Sequence, residues 1–259
     1  MLKTLDQSLK LLQLFTKEKP EWGARELAKE VGLNHANVFR VLSTFEANRF
    51  LEKDPKTKKY SLGIRLWELG LTMRESFHVS RLIRPILQRM MEESGESIFL
   101  TCLDEDEALT LDALEPDNVV KYSVSVGSRA PLFVGASYRS IMAYLPQEQI
   151  ERIILQGLRQ YTKNTIADPG KLREELVHIR ENGWAISTGE YTPDVLAIAC
   201  PLFHYDGHVM GSLTISGPIY RMSEEKKAKC MDILMRGKQE IDEIVQNYRV
   251  DLSRYYLFG

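Results

Sequence analysis

Two groups of polar side chains stand out by type and spacing. The first is Asn34, His35, Asn37, Arg40, Ser43 and Thr44, all within NHANVFRVLST. A guanidinium spans O6 and N7 of guanine, a carboxamide matches N6 and N7 of adenine, and small hydroxyls reach base edges or phosphates. The chemistry on offer is recognition of duplex DNA, with Arg40 suited to guanine, Asn37 to adenine and His35 to a base or a phosphate. The second group is Cys200, His204, Asp206 and His208 in CPLFHYDGH. A thiol near imidazoles resembles a nucleophile with its base, and a thiolate with neutral imidazoles suits zinc or copper in a metal or redox sensor. Pro201 intervenes, however, and no neighbouring motif orients a third group for catalysis. Alternation along a strand also sends neighbouring side chains to opposite faces.

The first group needs a helix to present it. Val38, Val41, Leu42 and Phe45 recur at helical spacing on one stripe, which leaves the polar residues on or beside the other face. Asn34 reads as the N-cap. Ahead of it, Ala24, Leu27, Ala28 and Val31 mark the buried face of a preceding helix that also carries Arg25, and Gly32 makes the turn between the two. Behind it, FLEKDPKTKKYSL reads as a hairpin that buries Leu51, Tyr60 and Leu62 and sets Lys56, Lys58 and Lys59, with Lys53, around Pro55 and Thr57. A lysine-rich turn is often only a solvated hairpin. Helix, glycine turn, polar-faced helix and basic hairpin in that order predict a winged helix-turn-helix whose wing lies over phosphates.

The charge distribution agrees. The 259 residues carry a net charge of -2, yet residues 1–62 hold twelve basic against eight acidic side chains, so the remainder is acidic by six. The basic excess sits with the DNA reader. Three scattered cysteines are too few for a disulfide framework or a zinc cluster and suit a reduced cytoplasm. No apolar run approaches the roughly 20 residues of a membrane span.

Taken in order, the chain begins with a helix from Leu2 to about Phe15, with Leu5, Leu9 and Leu12 as its inner stripe and Leu11 and Phe15 broadening it. Trp22 staples the next helix from outside. After the wing, Leu66, Leu69 and Met73 form a narrow seam of the kind two helices share, so residues 64–79 read as a linker that dimerises. An amphipathic helix through Leu82, Ile83, Ile86, Leu87, Met90 and Met91 ends at Gly95. SIFLTCLD, EALTLDALE and VVKYSVSV then read as three strands, and GASYRSIMAYL, QEQIERIILQGL and KLREELVHIREN as helices. WAIST, VLAIACPLF and VMGSLTIS are strands, the last two joined at Asp206 and Gly207, and a long helix runs from Ser223 to about Tyr248. This order predicts an α+β domain with an antiparallel sheet over 80–259, following the reader at 1–63. The aromatic tail VDLSRYYLFG docks on a neighbouring surface or stays disordered.

Three blocks give a further expectation: ELAKEVGLNHANVFRVLSTFEANRFLEKDPKTKKYSLG, STGEYTPDVLAIACPLFHYDGHVMGSLTISGPIYR and, more loosely, VGSRAPLFVGASYRSIMAYL. Through them the chain resembles the IclR family of bacterial transcription regulators over nearly its whole length. The resemblance implies a GAF-like effector-binding domain behind the linker helix, assembly as a homodimer or a dimer of dimers, double-stranded operator DNA as one partner and a small metabolite, often a carboxylate, as the other. No cofactor, membrane or enzymatic step is implied. Mapped onto matching positions, the effector pocket comprises Gly135 and Ala136 of a loop, Ser187 and Glu190, Val195 and Ala197 on one strand, and Thr214 and Ser216 on the next. Loop amides and strand hydroxyls would then satisfy a carboxylate without a buried cation. Three positions depart from the family pattern: Ser187 replaces an acid, Asp194 a glycine, and Tyr138–Arg139 a glycine–lysine pair.

Overall fold

Helix α3 (His35–Ala47) begins where the Asn34 side chain accepts the Ala36 amide at 2.8 Å. It follows α2 (Ala24–Glu30) across a turn in which Gly32 takes φ +63°, a conformation that costs other residues a steric clash. In this computed structural model the chain divides into two units, Met1–Ser76 and Phe77–Gly259, and residues 2–16, 18–75, 78–249 and 251–252 are described. In the first unit, Leu27, Val38 and Leu42 are fully buried with Leu11, Trp22, Leu51 and Tyr60. Val41, Phe45 and Val31 pack at the margin of that cluster.

Three expectations for this unit need correction. Leu5 and Leu9 of α1 (Lys3–Gln13) are half exposed, whereas Leu11 and Phe15, expected to broaden the stripe, are the buried ones. The positions one and two turns before Leu11 on its own stripe are Thr4, Gln7 and Ser8, so α1 enters the core only at its C-terminal end. Trp22 is a core residue rather than an outer staple. Its indole donates to Leu14 O at 2.8 Å, and its backbone pairs both ways with Tyr60. In the wing, β1 (Leu51–Lys53) pairs antiparallel with β2 (Tyr60–Leu62), and Leu51 and Tyr60 are buried, but Leu62 is 49% exposed. Among the described residues β2 is flanked on its outer side only at Trp22–Tyr60, so nothing covers Leu62 beyond that point. Helix α4 (Ile64–Glu75) exposes Ile64, Trp67 and Leu69 and half-buries Leu66. The Met73 side chain and the tail 253–259 lie outside the described residues.

The second unit is built on one sheet. Its strands are β3 (Ser97–Asp104), β4 (Glu107–Leu114), β5 (Arg129–Pro131), β6 (Ala185–Thr188), β7 (Val195–Phe203) and β8 (Val209–Pro218), in the order β5-β4-β3-β8-β7-β6 with every pair antiparallel. Because side chains alternate, the strands carry two different surfaces. On one, Ile98, Leu100, Cys102, Leu196, Ile198, Cys200, Leu213 and Ile215 pack with α5 (His78–Ser94) and α9 (Glu224–Tyr248), the latter capped by Ser223. The other faces α6 (Ala136–Met142), with α7 (Gln147–Leu155) and α8 (Pro169–Asn182) behind it.

The third predicted strand, VVKYSVSV, is not one. Residues 119–126 lie outside the sheet, with bends at 119–120 and a turn at 126–127 around the stretch 121–125, and β5 follows. Its period of two is still physical: Tyr122 and Val124 turn inward while Lys121, Ser123 and Ser125 face solvent. Those inward residues cover a cavity rather than a partner strand. The segment is held by Ser97 Oγ donating to Tyr122 O at 2.7 Å and Arg221 donating to Val120 O at 2.7 Å.

Candidate functional site

The cavity beneath this strap encloses about 490 Å³ of space between protein atoms, part of it open to solvent. Strand register explains its walls. Ser187, Ala197 and Ser216 are consecutive partners across β6, β7 and β8, and Thr214 lies opposite Phe99 of β3. Gly135 completes the approach with φ +78° and ψ 163°, a combination essentially restricted to glycine. It delivers α6 to the sheet so that the Ala136 amide donates to Ser187 Oγ at 2.9 Å. All eight residues expected from the resemblance, Gly135, Ala136, Ser187, Glu190, Val195, Ala197, Thr214 and Ser216, line this one space.

Its polar groups are mostly hydroxyls with defined partners. Ser216 Oγ donates to Leu196 O at 3.1 Å, and Ser137 Oγ lies 2.9 Å from Ser212 Oγ and 3.4 Å from Thr101 Oγ1. Thr214 is the exception: it is 2% exposed and its hydroxyl has no partner among the described residues. A buried hydroxyl in that state costs about 1–3 kcal/mol, which a ligand acceptor or donor would recover. The expectation that loop amides face a ligand is corrected at Ala136, whose N–H is already committed to Ser187.

Glu190 brings a carboxylate to the wall, and Arg139, behind it in α6, neutralises it. The two guanidinium Nη atoms meet the two Glu190 oxygens, one at 2.9 Å, while Nη2 also donates to Ile186 O at 3.2 Å and lies 3.5 Å from Glu175. Arg139 is fully buried, and among the described residues the cavity wall contains no lysine, arginine or histidine. Tyr138 contributes its ring, edge-on to Tyr191 with centroids 6.1 Å apart, and burial pushes its phenol far above the ordinary range. The positions expected to depart from the family pattern have structural consequences. Tyr138 fills space a glycine would leave, Arg139 spends its charge on Glu190, and Asp194 keeps the left-handed backbone, φ +58°, that a glycine would take freely. Sequence reasoning missed Phe99, Thr101, Tyr122, Ser137, Tyr138 and Tyr191 as wall residues. The alternation of Phe99 and Thr101 along β3, and of Tyr122 and Val124 along the strap, was the available signal; Tyr191, in a loop, had none.

In the first unit, Arg25, Asn34, His35, Asn37, Arg40, Thr44, Lys56, Lys58 and Lys59 are exposed and Ser43 is half-buried. Arg40 Nη2 donates to Asn37 Oδ1 at 2.6 Å, and Thr44 Oγ1 donates back to Arg40 O at 2.9 Å. Arg40 and Asn37 thus present themselves as a coupled pair, leaving the remaining guanidinium donors and the Asn37 amino group outward. Phe39, not selected from sequence, is 44% exposed between His35, 6.5 Å away ring to ring, and the Lys53 ammonium, 5.5 Å from its ring. On the wing, Asp54 accepts the Lys56 and Thr57 amides at 2.6 and 2.7 Å, and the Thr57 and Lys56 amides hold its carboxyl below the usual range.

The second sequence group separates. Cys200 is fully buried on the α9 side of β7, where burial pushes its thiol up to about 12. That value removes the thiolate a nucleophile or metal ligand needs. His204, Asp206 and His208 do gather at the β7–β8 turn.

Comparison with known proteins places both units. The IclR helix-turn-helix domain model matches residues 4–55, and the model of the bacterial transcriptional regulator IclR C-terminal region matches 72–243. The chain is 32% identical over 225 residues to the HTH-type transcriptional regulator KipR of Bacillus subtilis, covering 86% of this chain and 89% of KipR. Its fold matches the crystal structure of an IclR transcriptional regulator from Alicyclobacillus acidocaldarius with a TM-score of 0.84 at 26% identity, over 94% of this chain and 98% of that one. It also matches an IclR homologue from Microbacterium hydrocarbonoxydans complexed with 4-hydroxybenzoate, with a TM-score of 0.81 at 22% identity, over 94% and 99% of the two chains. The chain belongs to the IclR family of DNA-binding transcription regulators.

Proposed function

We propose that α3 and the wing hold operator DNA in the cytoplasm, and that a small carboxylate in the cavity changes that hold. The observation that carries the effector half is the unpartnered Thr214 hydroxyl in the cavity wall. Ser187 adds a second hydroxyl, the Ser216 proton being given to Leu196 O, and the rings of Phe99, Tyr122, Tyr138 and Tyr191 favour a ligand with a flat apolar part. The 4-hydroxybenzoate bound to the Microbacterium relative has that build. With Arg139 committed to Glu190, the ligand's charge falls to hydroxyl donors.

For the DNA half, Arg40 and Asn37 read base edges, exposed Phe39 offers apolar contact for a thymine methyl, and Lys56, Lys58 and Lys59 meet phosphates. One recognition helix gains from twofold symmetry. Exposed Ile64, Trp67 and Leu69 suit a linker over 64–79 that dimerises, giving a homodimer or a dimer of dimers. Coupling between the sites is about 1–3 kcal/mol and reciprocal.

The test is binding of the full chain to the duplex upstream of its own reading frame, against a scrambled duplex, at two salt concentrations, with and without 4-hydroxybenzoate as probe. Preferential, steeply salt-dependent binding is expected. Arg40→Ala is expected to weaken the native duplex by about 1–3 kcal/mol while sparing the scrambled one; equal affinity of wild type and variant would remove Arg40 from the interface.

A further inference from the structure

We propose that the β7–β8 turn is a binding site for a borderline divalent cation of the zinc class, held by the imidazoles of His204 and His208 and a carboxylate oxygen of Asp206. One ligand atom from each residue lies within 4.8 Å of the other two. The turn fixes this grouping through its backbone: the His204 amide donates to His208 O at 2.8 Å, and the Gly207 amide to His204 O at 2.9 Å. The two rings stack 4.5 Å apart with planes 25° from parallel, and both Nδ1 atoms face the same Asp206 oxygen.

Two observations favour a cation over an ordinary hydrogen-bonded turn. His204 is only 6% exposed, and its Nδ1, although 2.8 Å from Asp206 Oδ1, has no partner in hydrogen-bonding geometry. An orphaned buried imidazole nitrogen is a cost that a metal bond would remove. Second, Asp251, just past α9, sets a carboxylate 3.8 Å from His204 Nε2, and a further negative charge beside the turn favours a cation there. Bonds of about 2.0–2.2 Å to a tetrahedral ion would space the ligand atoms roughly 3.3 Å apart, so Asp206 withdraws slightly on binding. His208 and Asp206 are more than half exposed and leave room for water in the fourth position. Neutral imidazole with carboxylate is a donor set for zinc, cobalt or nickel. None of the three residues lines the effector cavity, so the site is independent of the ligand reading above.

The experiment titrates tag-free, chelator-treated full chain with Zn²⁺ by calorimetry and with Co²⁺ by visible absorption. One ion per chain is expected, with a rise in melting temperature on zinc addition. His208→Ala and Asp206→Asn alter exposed side chains and leave the fold intact. Each is expected to weaken uptake by at least the roughly 10–100-fold cost of losing an outer-shell partner and to abolish the thermal shift, whereas Cys200→Ala keeps wild-type affinity. Absence of stoichiometric uptake by the wild type, or undiminished uptake by both turn variants, overturns the site.

Discussion

The two faces of the central sheet come from the same strands and do opposite work. At adjacent positions of β8, Ile215 packs against the α5–α9 layer and Thr214 turns to the cavity; both are at most 2% exposed. On the helix-packed face nearly every inward residue is apolar. On the cavity face of β8 hydroxyls recur at every second position, Ser212, Thr214 and Ser216, and that of Thr214 has no partner among the described residues. Burial alone therefore does not distinguish core from site; the distinguishing property is whether buried polar groups are satisfied.

The largest expected effect breaks the cavity face where it is most charged. Arg139→Ala leaves Glu190 buried without its counter-ion, and loss of one partner of a buried pair costs about 3–5 kcal/mol. Urea denaturation is expected to show it as a lowered midpoint. A loss below about 1 kcal/mol would mean that the carboxylate is solvated and the cavity wetter than the burial of Arg139 implies.

Next comes an exchange of character between neighbours. Ile215→Thr puts an unpaired hydroxyl into the packed face and is expected to cost about 2–4 kcal/mol. Thr214→Val removes an unpaired hydroxyl at nearly constant shape, so stability is expected to hold or rise by about 1 kcal/mol, while binding of a cavity ligand is lost. Similar destabilisation by both variants in denaturation curves would erase the distinction between the faces.

Much of this contrast is written in the sequence. The alternation in SIFLTCLD and VMGSLTIS by itself assigns residues to faces, and Asp206–Gly207 marks the turn between β7 and β8, though not the register shift at Leu202/Phe203. The same signal misassigns residues 119–126, because period two reports an extended chain with one covered side and not what covers it. Leu62 and the Leu5–Leu9 stripe fail for a related reason: periodicity identifies a stripe but not where the core ends. Nothing local announces that Arg139 turns to Glu190, a partner 51 positions away. The grouping of Cys200 with His204 fails because Cys200 is buried inside β7 in the core cluster, whereas His204 lies past the strand's end at Phe203, in the turn.

A smaller effect follows from the thiols of the packed face. Burial raises Cys102 and Cys200 to about 12 from an ordinary 9.0. A thiol whose folded value is raised contributes stability that is fully present below the unfolded value and is lost as pH rises toward the folded one. Melting temperature is thus expected to fall progressively between about pH 9 and 12, and less steeply in Cys200→Ala compared with its own value at pH 7. At pH 8 alkylation of Cys102 and Cys200 is expected only after unfolding. Rapid labelling of the native chain would place water on the face that packs against α5 and α9.

The smallest effect tests the strap, which borrows the logic of a sheet face without belonging to a sheet. Tyr122 meets Phe99 edge-on at 5.7 Å, whereas Ser123 points to solvent. Tyr122→Ala is expected to cost about 1 kcal/mol, the scale of an aromatic pair beyond simple burial, and Ser123→Ala less than about 0.5. The Tyr122 hydroxyl sits 3.5 Å from Thr192 Oγ1, too long to add much, so Tyr122→Phe is expected to behave as wild type. If the alanine variants at 122 and 123 were equally silent in denaturation, the alternation along the strap would carry no packing energy. The cavity would then be closed by its backbone tethers at Ser97 and Arg221 alone.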